Sequence, residues 1–490
     1  MTNSKPFYIT TTLPYVNSDP HIGFAMEIIR ADVIARYKKS LGYDVFFNTG
    51  TDEHGAKIYE NAVKAGITPQ EFVDKSAKNF KDLISLLNIS NDVHFIRTTD
   101  EKHIKACEEI WNRCITKGDI EKKQYKIKYC VGCELEKTDS ELINGRCELH
   151  PDREIEIREE ENYFFKFSKY GNQLKDFYKN NPQFVIPDFR FNEIKSFIDR
   201  GLEDFSVSRL KEKMPWGIPV PNDEAHVMYV WFDALTNYIS TLDWPEGGNY
   251  KKYWEQGDKR EVVQYCGKDN LRQQSAMWQA MLMSAGLPTS TNIIIDGFIT
   301  GADGVKMSKS LGNVINPFEV IEMFKGVTDY PEDVLRFVLL HDISSFEDGG
   351  MSLESIKQSY QANLANGIGN LTNRVMKMAT SYGVELSSDD KNITVYDDKN
   401  NSLEKFDLTK GVIEVMSGAS WIDEYIQKNE PFKKIKINEE AAKKDVYVAL
   451  FHLFGVALKL EPFLPKTSAK ILECIRENKM PEKPLFNRLP

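Results

Sequence analysis

Apolar residues fall in short solid runs over the first part of the chain and at helical spacing over the last. FYITTTL (Phe7 to Leu13) is an apolar, β-rich run that stops at Pro14, the pattern of a buried strand. Beyond it, Ile29, Val33, Tyr37 and Leu41 recur every four residues, which predicts a helix to about Ser40. Asp19 can cap that helix, Pro20 suits its first turn, and Gly42 ends it. YDVFFN reads as the next strand, TGTDEHG as a loop, and Ala56 to Ala65 as another helix. Strand and helix signals alternating in this way predict a parallel sheet.

The rhythm breaks at about residue 118, where two-residue alternations such as YFFKF (Tyr163 to Phe167) replace it; such a break reads as an insertion. Strand-then-helix signals resume at VMYVWFDALTNYI and VVQYCGKDN, and IIIDGFIT is a further strand. From about Ser352 the pattern is helical only, opening with SLESIKQSYQANLANGIGNLTNRVMKMA. The expected division is an α/β half over 1–117, an insertion over 118–226 and a second α/β half over 227–316. A connecting stretch over 317–351 then leads to a helical domain over 352–490.

Composition narrows the class. With 490 residues, 41% hydrophobic and 28% charged, the chain has the make-up of an ordinary soluble protein large enough for several domains. No apolar run approaches the ~20 residues that span a bilayer, and MTNSKPFYITTTLPYV carries neither a signal nor a transit peptide. A cytoplasmic protein with no membrane partner is expected. The formal net charge of −10 argues against coating nucleic acid by bulk charge. An odd count of seven cysteines excludes a disulfide scaffold. Cys107 and Cys114 lie a heptad apart on an apparent helix face and read as core.

Three stretches carry candidate chemistry. GADGVKMSKSLGN (Gly301 to Asn313) sets Lys306 and Lys309 beside serines and between glycines. Such a segment can wrap a polyphosphate with mobile charges and backbone donors, although a K-x-x-K loop alone reads more readily as solvated surface. PYVNSDPHIGF places His21 and Gly23 where a helix follows the first strand. A helix start offers unpaired N–H groups and partial positive charge to a nucleotide, although a lone His there is often structural. The third stretch is CVGC (Cys130 to Cys133) followed by CELH (Cys147 to His150), a C-x2-C-x13-C-x2-H pattern. Two close pairs suit tetrahedral Zn²⁺, and four protein ligands make the site structural.

HIGF after the first strand, paired with KMSKS after a late one, resembles the two motifs of class I aminoacyl-tRNA synthetases. TTLPYVNSDPHIG, NTGTDEHG, VMYVWFDALTNY, GKDN and DGFITGADGVKMSKSLGN are similar to the methionyl-tRNA synthetase family over nearly the whole chain. The resemblance implies a Rossmann-type parallel-sheet catalytic domain, an inserted zinc-binding connective domain and an all-α anticodon-binding bundle. It implies ATP-dependent activation of L-methionine, with Mg²⁺ accompanying ATP, and transfer to tRNA(Met). His21, Lys306 and Lys309 would stabilise phosphate charge, with Lys309 matching the motif's ATP-contacting lysine. Gly23, Phe24 and Asp269 would complete the ATP site, Asp269 at the ribose. Leu13, Tyr15, Trp231, Ala234, Tyr238 and Gln274 would line the methionine pocket, with Asp52 on the ammonium.

The chain departs from the family pattern at three positions. Phe24 stands where the family usually has a second histidine, and a phenyl ring cannot donate to phosphate. Gln274 stands near the side-chain pocket where histidine is frequent. Phe432, in NEPF, replaces a tryptophan that follows proline. Asn370 and Arg374, in NLTNR, match the family's anticodon-reading pair, and Phe432 would stack a splayed base. No C-terminal dimerisation appendix follows, so a monomer is expected. Rival readings are a synthetase for another amino acid such as cysteine, a smaller nucleotidyltransferase, and a catalytically silent tRNA-binding relative.

Overall fold

The computed structural model describes residues 4–489 except 18, 131–134, 138–141, 148–151, 153, 256, 258–259, 302–303, 305–313 and 393–400. Lys306, Lys309, Cys133 and His150 therefore lie outside the described residues, as does the side chain of Cys130.

Six strands form the central sheet: β1 (Pro6–Thr10), β2 (Asp44–Thr51), β3 (His94–Arg97), β4 (Val185–Ile186), β5 (Glu261–Gly267) and β6 (Asn292–Asp296). Their spatial order is β3-β2-β1-β5-β6-β4, and every pairing is parallel. Parallel strands are covered on both faces, which is why they read as solid apolar runs; Phe7, Tyr8 and Ile9 of β1 and Ile293 to Ile295 of β6 are fully buried. β4 comes from within the range read as the insertion. The strand order changes direction between β1 and β5, and at such a switch point the carboxyl ends of the strands leave a crevice for a ligand.

Helix α1 (Ile22–Ser40) follows β1 and is buried on nearly every side. Its N-cap is His21, not Asp19: the imidazole Nδ1 accepts from the Gly23 N–H at 3.1 Å. Two arginines at its flanks tie the sheet to the helical part of the chain. Arg30, on α1, donates to the carbonyls of Ser344 (2.8 Å) and Ile343 (3.0 Å) and lies 3.0 Å from Asp296 at the end of β6. Arg336, on helix Pro331–His341, reaches Asp32 of α1 at 2.9 Å and donates to the carbonyls of Phe463 and Pro462 at 2.7 and 2.9 Å. Both guanidiniums are fully buried, so their charges must be paired to be tolerated.

The insertion carries a long antiparallel arm. Ile120–Cys130 pairs with Ile155–Phe165 from Ile120↔Phe165 to Cys130↔Ile155. At its far end Leu142–Ile143 pairs with Arg146–Cys147 across Asn144 and Gly145, whose φ values are +53° and +77°, the left-handed pair that a two-residue hairpin turn requires. The helical region comprises Leu353–Ser359, Tyr360–Gly369, Asn370–Tyr382, Leu408–Asn429, Glu439–Leu460 and Pro465–Glu477 as its longer elements. Cys107 and Cys114 are buried on helix Glu101–Thr116, as expected from their spacing.

Candidate active site

A cavity of about 740 Å³ opens where β1, β2, β5 and β6 end. Leu13, Tyr15, Asp52, Trp231, Ala234, Tyr238 and Gln274 line it together with His21, Gly23, Phe24 and Asp269. The fold thus gathers into one space every described residue expected at a methionine or nucleotide site. Tyr238 and Gln274 are buried at its floor, and His21 and Asp269 are exposed.

Local pairing explains the placement of Asp52. The chain after β1 runs beside the end of β2: Asp52 N–H donates to the Pro14 carbonyl at 3.0 Å, and Val16 N–H to the Asp52 carbonyl at 3.1 Å. Tyr15 and Asp52 are bridge partners. The Asp52 carboxylate is 6% exposed, and its Oδ1 meets no hydrogen-bond partner among the described residues. Burial, reinforced by the charge of Asp233, raises its pKa well above the carboxylate range. A buried acceptor left unmatched costs free energy that an incoming cationic donor recovers. Gly55 bounds the same corner at φ +122°, where a Cβ would stand 2.7 Å from the Tyr15 hydroxyl.

Beneath the cavity lies a polar group that sequence reading missed. Asp233, fully buried on the helix carrying Trp231 and Ala234, pairs with His54 Nδ1 and His103 Nε2, both at 2.7 Å. Burial alone would raise its pKa, yet the two imidazoles hold it down at about 2. His103 Nδ1 meets Ser240 Oγ at 2.9 Å, and Cys107 Sγ stands 3.2 Å from His103 Nε2. These spacings are hydrogen bonds already made. None of His103, Cys107 and Asp233 lines the cavity, so the cluster braces the helix from behind.

Glu27 and Asp296 also line the cavity and were not foreseen. Thr12 donates to Glu27 Oε1 from its N–H (2.7 Å) and hydroxyl (2.6 Å), while burial pushes the Glu27 pKa up to about 8. Burial likewise takes Asp296 up to about 6, against the pull of Arg30. Their signal in the sequence was charge inside apolar text, as in AMEIIRADVIA and IIID. Phe24 lines the cavity with one edge and packs at right angles on Phe80, centroids 5.0 Å apart, with the other. Far from this site, Asn370, Arg374 and Lys377 line a shallow groove against Pro481 to Pro484. Arg374 pairs there with Asp423 at 2.8 Å, and Phe432 stands 48% exposed on the short helix Pro431–Lys434.

A ligand crevice at the switch point of a doubly wound parallel sheet, with a histidine-capped helix start at its rim, is the arrangement of a nucleotide-binding catalytic domain. The family described as "tRNA synthetases class I (M)" matches residues 7–151 and 133–376, and the "Anticodon binding domain of methionyl tRNA ligase" matches residues 387–484. The chain belongs to the class I tRNA synthetases. Methionine–tRNA ligase of Thermotoga maritima is 38% identical over 97% of this chain and 76% of its own length; that of Rhizobium meliloti is 38% identical over 97% and 92%. The Mycobacterium tuberculosis methionyl-tRNA synthetase bound by methionyl-adenylate superposes with a TM-score of 0.84 at 31% identity, covering 99% of each chain. Within the class, this chain belongs to the methionine–tRNA ligase family. Among the described residues no helix is long and apolar enough to cross a membrane.

Proposed function

We propose that the chain charges tRNA(Met) with methionine in two steps at this one cavity, with Asp52 anchoring the amino acid and His21 facing the phosphates. The methionine carboxylate attacks the α-phosphate of ATP, supplied as its Mg²⁺ complex, and pyrophosphate leaves. The adenylate's acyl group then passes to the terminal ribose of the tRNA. The observation that carries this is the buried, unmatched Oδ1 of Asp52, on the cavity wall opposite in chemistry to the apolar Trp231, Ala234 and Leu13. An ammonium satisfies the first, and a flexible thioether packs on the second. His21, Lys306 and Lys309 would stabilise charge on the phosphates, and Asp269 would hold the ribose. A cysteine-type site with a catalytic metal is disfavoured, because Cys107 and its neighbours bond to each other below the cavity. ATP–pyrophosphate exchange measured with each of the twenty amino acids tests the reading: methionine alone should support it, and silence with methionine would overturn it.

Acidification should weaken methionine use early. Ionised Asp52 holds the ammonium, and its raised pKa means it takes up a proton at higher pH than a carboxylate near ~4. Below that raised pKa, kcat/KM for methionine should fall about tenfold per pH unit. Asp233→Asn removes the neighbouring charge, so the same limb should move to lower pH.

Cys130, Cys133, Cys147 and His150 would hold one Zn²⁺. Cys147 is buried on its hairpin strand, and Cys130 ends the arm's outgoing strand; both belong to the far part of the arm. Such an ion closes a fold and supplies no chemistry to the distant cavity. Metal analysis of undamaged protein should give about one zinc per chain; well under one equivalent would remove the site.

The groove with Asn370 and Arg374, together with exposed Phe432, would read the anticodon of tRNA(Met). Phe432→Ala should lower kcat/KM for tRNA by about tenfold, the loss expected of one stacked base, and leave pyrophosphate exchange intact. Cytoplasmic location and a monomeric state belong to the same reading. Light scattering that returned the mass of two chains would contradict the latter.

A further inference from the structure

The ladder that joins β5 to β6 ends at Gly267↔Asp296, where both strands reach the cavity. Beyond it the chain continues as the single turn Lys268–Asn270 after β5 and as Gly297 to Ile299 after β6. Gly267, Asp269 and Asn270 line the cavity from the first side, and Gly297, Phe298 and Ile299 from the second. Two loops past the end of their ladder keep a ligand in register only if some other group fixes their spacing.

Asp348, from the connecting stretch ahead of the helical domain, spans the two. Its Oδ1 accepts from the Phe298 N–H at 2.9 Å, and Lys268 Nζ donates to Oδ1 and Oδ2 at 2.8 and 2.6 Å. The backbone around Asp348 is docked on the β6 side. Gly349 N–H donates to the Phe298 carbonyl at 3.0 Å, Gly349–Met351 pairs with Ile299–Gly301, and a Cβ on Gly297 would stand 2.2 Å from the Glu347 carbonyl carbon. The carboxylate is therefore anchored to one loop and reaches the other through Lys268. Lys268 is not among the cavity-lining residues, although Gly267 and Asp269 on either side of it are. Its ammonium lies 4.4 Å from the centre of the Phe298 ring and is taken up by Asp348.

We propose that Asp348 and Lys268 are positioning residues for the nucleotide: their ion pair sets the Asp269 carboxylate at a fixed place relative to the β6 loop and to the strand that leads into the lysine segment. This rests on the reading that Asp269 holds the ribose. The two side chains are 25% and 43% exposed, and a pair so open to water adds little to stability. Its effect falls on the geometry of the nucleotide site, and neither residue touches the ligand.

The test is pyrophosphate exchange with ATP and with its 2′-deoxy and 3′-deoxy analogues, in wild type, Asp348→Asn, Lys268→Met, Lys268→Arg and Asp269→Ala. Asp348→Asn keeps the volume and an oxygen for the Phe298 N–H but removes the charge that holds Lys268. Asp348→Asn and Lys268→Met should each raise the KM for ATP by about fivefold, the upper worth of a solvent-open ion pair, with the KM for methionine unmoved. Both should also shrink the preference for ATP over whichever deoxy analogue wild type uses more poorly, as Asp269→Ala should do more strongly. Lys268→Arg, which can still grip the carboxylate with two donors, should restore the wild-type constants. A merely structural role would raise both KM values alike and leave the ribose preference intact, and that result overturns the proposal. A preference reduced by Asp269→Ala but untouched in the other two variants breaks the link and spares the ribose reading. If Asp269→Ala leaves the preference unchanged, Asp269 does not hold the ribose, and both readings fall. An effect in Lys268→Met without one in Asp348→Asn would make Lys268 a direct phosphate contact and also overturn the proposal. Should Asp348→Asn not fold, Lys268→Met cuts the same link and, with its rescue by Lys268→Arg, carries the same expectation.

Discussion

Replacing Lys309 by alanine is expected to slow methionine-dependent pyrophosphate exchange by at least ~10²-fold, with little change in the KM for methionine. In-line attack on the α-phosphate places negative charge on the departing pyrophosphate, so a cation that meets that charge acts on the transition state more than on the ground state. Lys309 lies in glycine- and serine-flanked sequence immediately after Ile299–Gly301, a strand paired with Gly349–Met351 beside the cavity wall formed by Gly297, Phe298 and Ile299. The strand that leads into this stretch of sequence thus stands beside the cavity that His21 also lines. Exchange kinetics at saturating methionine check it. Near-normal exchange in Lys309→Ala would take the lysine segment out of the chemistry.

The second large effect is on stability. Arg336→Ala should cost about 3–5 kcal/mol, the range for breaking a buried ion pair from one side. The substitution leaves a cavity, removes the donors to the Phe463 and Pro462 carbonyls, and strips Asp32 of one of its two guanidinium partners. Burial works to raise the Asp32 pKa, and Arg336 with Arg36 holds it below the usual carboxylate value. The sign of the pH effect follows. A depressed folded pKa contributes stability above the unfolded pKa of ~4, and that stability is lost as pH falls. With Arg336 gone, less of that contribution exists, so the variant should unfold at a higher pH on acidification as well as at lower denaturant. Urea unfolding at neutral and acidic pH measures both. An unchanged midpoint would mean that Arg336 adds nothing to holding the helical region against α1.

Much of this architecture is legible in the sequence because parallel strands buried on both faces must be written as solid apolar runs, and β1, β2, β5 and β6 are. Val185–Ile186 is not legible: two residues carry no period, and only docking beside β6 makes them a strand. Asp19 was the better cap by residue type, yet His21 takes the position because its ring folds back onto the Gly23 N–H. A Cβ at Gly23 would come within 2.9 Å of that ring. Arg30 and Asp32 stand as charges in apolar text, and both are buried. The partners of Arg30, such as the carbonyls of Leu339 and Ile343, stand 309 and 313 positions further along the chain, beyond the reach of any local pattern. The site was legible where motif text named residues one by one. It was silent where function depends on what surrounds a residue, as with the braced Asp233 or the high pKa of Glu27.

The central claim is that one cavity holds the amino acid against Asp52 and the nucleotide against the start of α1. A crystal structure with a non-hydrolysable methionyl-adenylate analogue tests it most directly. The account predicts the ammonium at hydrogen-bond distance, ~3 Å, from Asp52 Oδ1, the side chain between Trp231 and Tyr238, the ribose at Asp269, and His21 and the lysine segment on opposite sides of the phosphate mimic. An analogue seated elsewhere, or one that leaves Asp52 and His21 untouched, would contradict it.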